Sequence, residues 1–255
     1  MMITSKQNEK IKFIRSLADK KVRDETELFV AEGVKTVFEA LRMGAFVKTV
    51  VVTDGGMKLL SEKKAVFSDE IDILQVSDQV FKSLSNEVTP QGAIAVICKK
   101  NSALKSPLGR CLLLDEVKDP SNVGAIIRTA AAAGYKEIYL VNGSADAYGA
   151  KAVRASMSGI FAVDVYCGER EEILKVIDCP IYVADMGGKN VFELMAEQKF
   201  CLAIGNEGHG VSKDVYGRAA KVISIPMDSG IESLNAGVSA GILMYALKNS
   251  IQGEK

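Results

Sequence analysis

The chain has 255 residues, 48% of them hydrophobic, which is enough for one long domain or two domains of ordinary size. Lys and Arg number 32, as do Asp and Glu, and this zero net charge neither supports nor excludes a nucleic-acid partner. No apolar run approaches the ~20 residues of a transmembrane helix, and the N-terminus lacks the apolar core of a signal peptide. The five cysteines are widely spaced and form no C-x-x-C pair, so we expect reduced thiols, no metal site and a cytoplasmic protein.

The first 23 residues are locally basic. Two interpretations stay open, a solvated helix face or a patch that meets an anionic partner. The charged residues of this segment are Lys6, Lys10, Lys12, Arg15, Lys20, Lys21 and Arg23, against Glu9 and Asp19.

The N-terminal half alternates short helices and strands. In chain order the patterns predict a helix at IKFIRSL, a strand at LFVAEG, a helix at VKTVFEALRMG that Gly44 ends, strands at VKTVVVT and IDILQVS, and a short helix at DQVFKSLS. We expect a compact α/β unit of about 85 residues. Pro90 and Gly92 then break the alternation, and a polar, turn-rich stretch follows. We therefore expect one domain over 1–100, a linker over 101–109 and a second domain over 110–255.

The C-terminal half also alternates strands and helices. Strands are predicted at CLLLDEV, EIYLV, VDVYC, PIYVAD, FCLAIG and KVISIP. Helices are predicted at SNVGAIIRTAAAA, GAKAVRASM, REEILKVI and SLNAGVSAGILMYALKNS. Ser121 or Asn122 is expected to cap the first of these helices, with Gly134 just past its end. This order predicts a mainly parallel sheet covered on both faces, with ligands beyond the carboxyl ends of its strands.

Polar residues gather after three of these strands. Asn122 and Arg128 follow the first, and Arg128 is either a structural arginine or an anion-binding one. The loop GNEGHG follows FCLAI, lacks the lysine of a Walker loop and the order of a dinucleotide fingerprint, and places Glu207 where a phosphate would be repelled. The loop therefore suits a neutral or cationic ligand, unless it is only a tight turn with glycines at positive φ.

The third polar stretch is IPMDSGIESLN, after KVIS. Gly230 permits a turn, and Ser233 or Asn235 begins a helix whose first turns are small residues, suited either to a ligand or to a helix interface. His209 is the only histidine, and a catalytic role for it is disfavoured because its neighbours offer no carboxylate partner and no second histidine exists.

The three stretches, in this order, resemble the motifs of the SpoU (TrmH) family over nearly all of residues 110–248. These are S-adenosylmethionine-dependent RNA ribose 2′-O-methyltransferases of the knotted α/β (SPOUT) class. LFVAEGVKTVFEAL and SNEVTPQGAIAVI are similar to the family's small ribosomal-protein-like RNA-binding domain. The resemblance implies a deep trefoil knot, a homodimer through the knotted domain and an RNA substrate. Ribosomal RNA is favoured, and transfer RNA or a non-catalytic RNA-binding protein of this fold are the alternatives.

The same resemblance assigns the candidate site. Catalytic positions would be Asn122, Arg128, Glu207, Ser233 and Asn235. S-adenosylmethionine would contact Gly205, Asn206, Gly208, Ile225, Met227 and Leu234. Two positions depart from many relatives, because Gly237 stands where serine is common and Ser239 where alanine is common. All are small, so close packing should survive, although the role of a hydroxyl at position 237 is not carried over.

Overall fold

The computed structural model describes residues 2–100, 103–228 and 233–251. Its helices are α1 (Glu9–Ser16), α2 (Lys20–Thr26), α3 (Val34–Arg42), α4 (Asp54–Glu62), α5 (Asp78–Lys82), α6 (Pro120–Ala133), α7 (Ala150–Ser156), α8 (Gly159–Ala162), α9 (Arg170–Val176), α10 (Lys213–Tyr216) and α11 (Ala236–Asn249). Its strands are β1 (Leu28–Glu32), β2 (Val47–Val52), β3 (Asp72–Gln75), β4 (Ala93–Cys98), β5 (Cys111–Asp115), β6 (Glu137–Val141), β7 (Asp164–Gly168), β8 (Ile181–Asn190), β9 (Cys201–Gly205) and β10 (Ala219–Ser224).

The six C-terminal strands form one all-parallel sheet in the order β10-β8-β9-β5-β6-β7. Side chains of β5 alternate between two hydrophobic clusters, with Leu112 and Leu114 in one and Cys111 and Leu113 in the other. All five residues of β5 are buried, as expected for a strand covered on both faces. The predicted parallel sheet is therefore confirmed, and its central strands β5 and β9 end beside each other.

The four N-terminal strands form a mixed sheet in the order β1-β4-β2-β3. Its central strand β4 runs antiparallel to both neighbours and lies where the sequence pattern indicated a break in the alternation. That interpretation was wrong, because Gly92 is needed for close packing at the start of the strand. A Cβ on Gly92 would lie 2.2 Å from the Thr53 hydroxyl, and one on Gly56 would lie 1.9 Å from the Gly92 carbonyl oxygen. The glycines of α4 also hid that helix from the sequence analysis, since glycine disfavours helix.

One hydrophobic cluster contains residues of both sheets, among them Phe29 of β1 and Leu112 of β5. Arg23 reinforces this contact. Its side chain is 6% exposed, donates to the carbonyls of Leu17 and Ala18, and binds Asp146 through Nε and Nη2 at 3.1 and 2.5 Å. Arg23, although part of the basic N-terminal segment, thus stabilises the contact between the two sheets and does not belong to an exposed basic patch.

The helix that follows β5 begins earlier than predicted. Asp119, not Ser121 or Asn122, is the N-cap of α6, and its side chain accepts the Ser121 amide at 2.8 Å. Pro120 occupies the first helical position, which its fixed φ favours. The predicted end is confirmed, because Gly134 adopts the left-handed conformation at φ 88°. Asn235 caps α11 as expected, accepting the amides of Gly237 and Val238.

None of the helices within 2–100, 103–228 and 233–251 is long and apolar enough to cross a bilayer.

Candidate active site

Three polar side chains from separate segments meet at the carboxyl edge of the parallel sheet. Asn122 lies in the first turn of α6, Glu207 follows β9, and Asn235 begins α11. The Asn235 amide donates to Asn122 Oδ1 at 2.9 Å, and Asn122 Nδ2 donates to Glu207 Oε1 at 2.9 Å. We call these three residues the Asn122 cluster, and it unites one candidate from each polar stretch.

Asn122 is the buried centre of this cluster, at 6% exposure, whereas Glu207 and Asn235 reach solvent. The second carboxylate oxygen of Glu207 accepts the Lys118 backbone amide at 3.2 Å. Burial raises the pKa of this carboxyl, but hydrogen bonds from Asn122 and from backbone amides outweigh it and hold the pKa below its ordinary value. Glu207 therefore carries a negative charge at neutral pH, held in one position beside the two amides.

The glycine loop after β9 is folded back on itself. Asn206 and Gly210 exchange both backbone hydrogen bonds at 2.9 Å. A Cβ on Gly205 would lie 2.1 Å from the Gly210 carbonyl carbon, so this glycine is required by the loop's own backbone. The Asn206 side chain donates to the Glu116 carbonyl at 2.9 Å and accepts the Gly208 amide at 2.8 Å. Asn206, a residue expected to contact a cofactor, thus holds the turn through both its side chain and its backbone.

A buried carboxylate that the sequence analysis did not single out anchors the far end of this loop. Asp115, at the end of β5, is 1% exposed and accepts the Ser212 amide at 2.7 Å and Arg170 Nε at 2.9 Å. Arg170 also donates to Glu116 at 2.7 Å, and Glu116 adopts a left-handed φ of 61°. The two adjacent acidic residues at the end of this otherwise apolar strand were the feature of the sequence that could have indicated this anchor.

The segment between β10 and α11 contributes apolar surface near the cluster. Ile225 and Met227 are half-buried, and Leu234 is 37% exposed beside Asn235. Ser233 is exposed, and its side chain makes no hydrogen bond to the part of the chain that is described. The predicted turn at Gly230 lies outside the described residues. Gly237 packs against α6, since a Cβ there would be 3.3 Å from the Ala125 methyl.

Arg128 does not join the Asn122 cluster within the chain. It lies six residues further along α6, about 9 Å along the axis and on another side of the helix. Its exposed side chain lines a cavity of about 320 Å³ together with Lys35 and Met157. The guanidinium forms no hydrogen bond or ion pair with any residue of 2–100, 103–228 or 233–251.

His209 is exposed, and only its backbone amide is hydrogen-bonded, to Asn206 Oδ1 at 3.3 Å. Within the same described ranges, no group of three or more His, Cys, Asp or Glu side chains could hold a metal ion. The side chains that meet in the Asn122 cluster are two amides and one carboxylate.

Comparison with known proteins places this arrangement in a family. The model of the SpoU rRNA methylase family matches residues 109–245, and that of the MRM3-like substrate-binding domain matches residues 8–95. The chain belongs to the SpoU rRNA methylase family. The expected family and its α/β fold are confirmed, and the Asn122 cluster lies within the matched methylase region.

Individual relatives agree with this assignment. The chain is 32% identical to the 23S rRNA (guanosine(2553)-2′-O)-methyltransferase RlmP of Bacillus subtilis, over 96% of this SpoU-family chain and 98% of that one. It is 33% identical to a 23S rRNA (adenosine(1067)-2′-O)-methyltransferase of Streptomyces laurentii, over 67% and 65% of the two chains. The AdoMet-bound rRNA methyltransferase of Sinorhizobium meliloti superposes with a TM-score of 0.84 at 28% identity, covering 98% and 97%.

Proposed function

We propose that this SpoU-family protein transfers the methyl group of S-adenosylmethionine to a ribose 2′-hydroxyl of ribosomal RNA. The observation that carries the proposal is the Asn122 cluster, in which residues of three polar segments meet at the ends of adjacent parallel strands. Two relatives named as 23S rRNA 2′-O-methyltransferases support the substrate and the position of transfer. The match of residues 8–95 to a substrate-binding domain supports a structured RNA partner.

The residues of the site fit a sulfonium cofactor. The ionised Glu207 favours a cation and would repel a phosphate, and no Lys or Arg lies between Gly205 and Ser212. Half-buried Ile225 and Met227 and the exposed Leu234 offer apolar contact. Residues that would hold the cofactor are Gly205, Asn206, Gly208, Ile225, Met227 and Leu234. The bound cofactor supplies a methyl group that is already activated, so alignment is the main task of the protein.

In the reaction, the ribose 2′-oxygen would take the methyl group while the carbon–sulfur electron pair stays on the cofactor sulfur, and the hydroxyl proton would pass to solvent water. Asn122 and Asn235 keep the Glu207 carboxylate and the start of α11 at fixed positions. Ser233 presents an exposed hydroxyl next to them. Arg128 stays protonated and cannot act as the base, so we assign it to the stabilisation of the developing alkoxide or of a nearby phosphate.

We also propose that the active unit is a homodimer. Arg128 lies apart from the Asn122 cluster of its own chain, so a second copy would supply the arginine to each cluster. An apolar surface on and beside α11 supports such pairing, with Val238 at 52%, Phe192 at 63% and Met195 at 56% exposure. Sedimentation of Phe192→Asp should then show weakened dimers, whereas Phe46→Asp, at an aromatic residue of the N-terminal sheet region that is 75% exposed, should not. A dimer that resists the first substitution would exclude this surface.

Three finer features complete the proposal. A deep trefoil knot would form where the segment between β10 and α11 passes the loop after β9. The linker between the two domains would be residues 101–109, all but the last of which lie in the gap between the two family matches, 8–95 and 109–245. The compartment would be the cytoplasm, where the five free cysteines stay reduced.

The test is methylation of total RNA from a strain lacking the gene, with labelled S-adenosylmethionine, followed by mapping of ribose methylation. We expect one 2′-O-methylated nucleotide in 23S rRNA, and the position named for the Bacillus relative is the first to inspect. Label in tRNA alone would favour the transfer-RNA alternative. Cofactor binding without incorporation into any RNA would favour a non-catalytic RNA-binding protein.

A further inference from the structure

A cavity separates the N-terminal unit from helix α6 of the methylase region. Its walls come from α3, through Lys35, Thr36 and Glu39, from Arg128 of α6, and from the turn at Met157 between α7 and α8. Any ligand in this cavity of about 320 Å³ would contact both matched regions at once.

The cations that line the cavity are unpaired. Neither the Lys35 nor the Arg128 side chain forms a hydrogen bond or ion pair with a residue in the described part of the chain. Glu39, the one acid of the lining, lies one turn after Lys35 but is engaged by Arg42 at 2.6 and 3.1 Å. Two exposed cations that face one cavity without a counter-ion favour an anionic ligand.

The opposite wall is held in a strained conformation. Met157 adopts φ 53° and ψ −130°, a region that L-residues rarely occupy. The turn is pressed against the arginine's own backbone, because a Cβ on Gly159 would lie 2.8 Å from Arg128 Cα. The backbone of Arg128 is therefore held against the turn between α7 and α8, while its exposed side chain can follow a ligand.

We propose that Lys35 and Arg128 together bind a backbone phosphate of the RNA substrate in this cavity. The inference rests on the proposed function, and it assigns a specific role to Lys35, a residue of the LFVAEGVKTVFEAL stretch that the resemblance gave no individual role. A guanidinium and an ammonium on adjoining walls suit a phosphodiester, which offers two anionic oxygens. An RNA strand bound in this cavity would be positioned by the N-terminal unit and by the methylase region together.

The experiment measures binding of deproteinised ribosomal RNA from the deletion strain to the full-length protein over a series of salt concentrations. Lys35→Ala should weaken binding roughly tenfold at low salt and reduce the slope of log K against log salt by about 1, because one phosphate contact is lost. Lys35→Arg should restore both values. Lys58→Ala is the matched control, since this exposed lysine of the N-terminal unit lies outside the cavity.

A Lys35→Ala slope equal to that of the wild type would overturn the proposal. The proposed function is tested separately by the wild type: if it methylates ribosomal RNA while Lys35→Ala binds normally, only the cavity assignment fails. If it methylates no RNA, the function fails first and the RNA-phosphate assignment falls with it.

Discussion

The first turn and the middle of helix α6 hold their polar side chains in opposite environments. Asn122, in the first turn, is buried and uses its amide on two partners, Glu207 and Asn235. Arg128, six residues later, is exposed, and its side chain makes no hydrogen bond or ion pair with the described residues. Asn122 thus belongs to a cluster that forms within one chain, whereas the Arg128 side chain can bind a group outside that cluster. One contiguous motif thus contains both Asn122, a member of a hydrogen-bonded cluster, and Arg128, a cation with no side-chain partner among the described residues.

This difference predicts the largest effect for Arg128→Ala. Methyl transfer should fall by about 10²–10³-fold, because the role proposed for Arg128 makes it a charged donor at the reacting centre. The free energy of unfolding and the affinity for S-adenosylmethionine should stay near wild-type values, since the side chain has no partner to lose. A methyl-transfer assay measures the first quantity, urea unfolding measures the stability, and calorimetric titration measures the affinity for S-adenosylmethionine. Arg218→Ala is the control, since this exposed arginine also has no side-chain partner among the described residues, and lost cofactor affinity in Arg128→Ala would contradict the assignment.

Asn122→Asp should damage stability as well as activity. The new carboxylate would face Glu207 at hydrogen-bond distance, and we expect a loss of about 1–3 kcal/mol in the free energy of unfolding. The loss should shrink below neutral pH, because one of the two carboxyls then binds a proton. Urea unfolding at several pH values measures it. Asn142→Asp is the matched control, since Asn142 donates to Glu169 at 2.7 Å on the exposed surface. An equal loss of stability in this control would show that burial of the Asn122–Glu207 pair is not the cause.

Substitutions at two glycines of the loop after β9 should distinguish an effect on stability from an effect on cofactor binding. Gly205→Ala places a methyl 2.1 Å from the Gly210 backbone and should cost about 1–3 kcal/mol of stability, as overpacking does. Gly208→Ala has its nearest neighbour at 3.5 Å and should leave thermal stability nearly unchanged. It should instead weaken cofactor binding if Gly208 lines the site. Calorimetry on both variants checks this, and a Gly208→Ala protein that unfolds as easily as Gly205→Ala would contradict it.

The smallest effect concerns acid stability. The pKa of Glu207 lies below its ordinary value in the folded protein, so the carboxylate contributes stability above the unfolded-state pKa. That contribution is lost as pH falls through the folded pKa. Wild type should therefore lose more unfolding free energy than Glu207→Gln between pH 7 and acid pH. Glu62→Gln, at an exposed glutamate of α4 with no partner in the described chain, should follow the wild type. Parallel acid curves for Glu207→Gln and wild type would contradict the assignment.

Much of the fold followed from local pattern. The all-parallel sheet was predictable because its buried strands are continuous apolar runs, such as CLLLD and CLAIG. Strand β4 was not, because Pro90 and Gly92 indicate a break, while a close contact with α4 decides the matter. The start of α6 was misplaced for a similar reason, since several polar residues in a row can cap a helix and Pro120 decided which one did.

For the site, the sequence by itself determined the family, the three polar segments and the identity of their residues, because motif order survives without coordinates. The pairing of Asn122 with both Glu207 and Asn235 was decided only by the parallel sheet, which brings the ends of separate strands to one edge. Asp115 as an anchor and Lys35 beside Arg128 were likewise beyond any local pattern. These contacts join residues far apart in the chain, and only packing of one unit against another sets their distances.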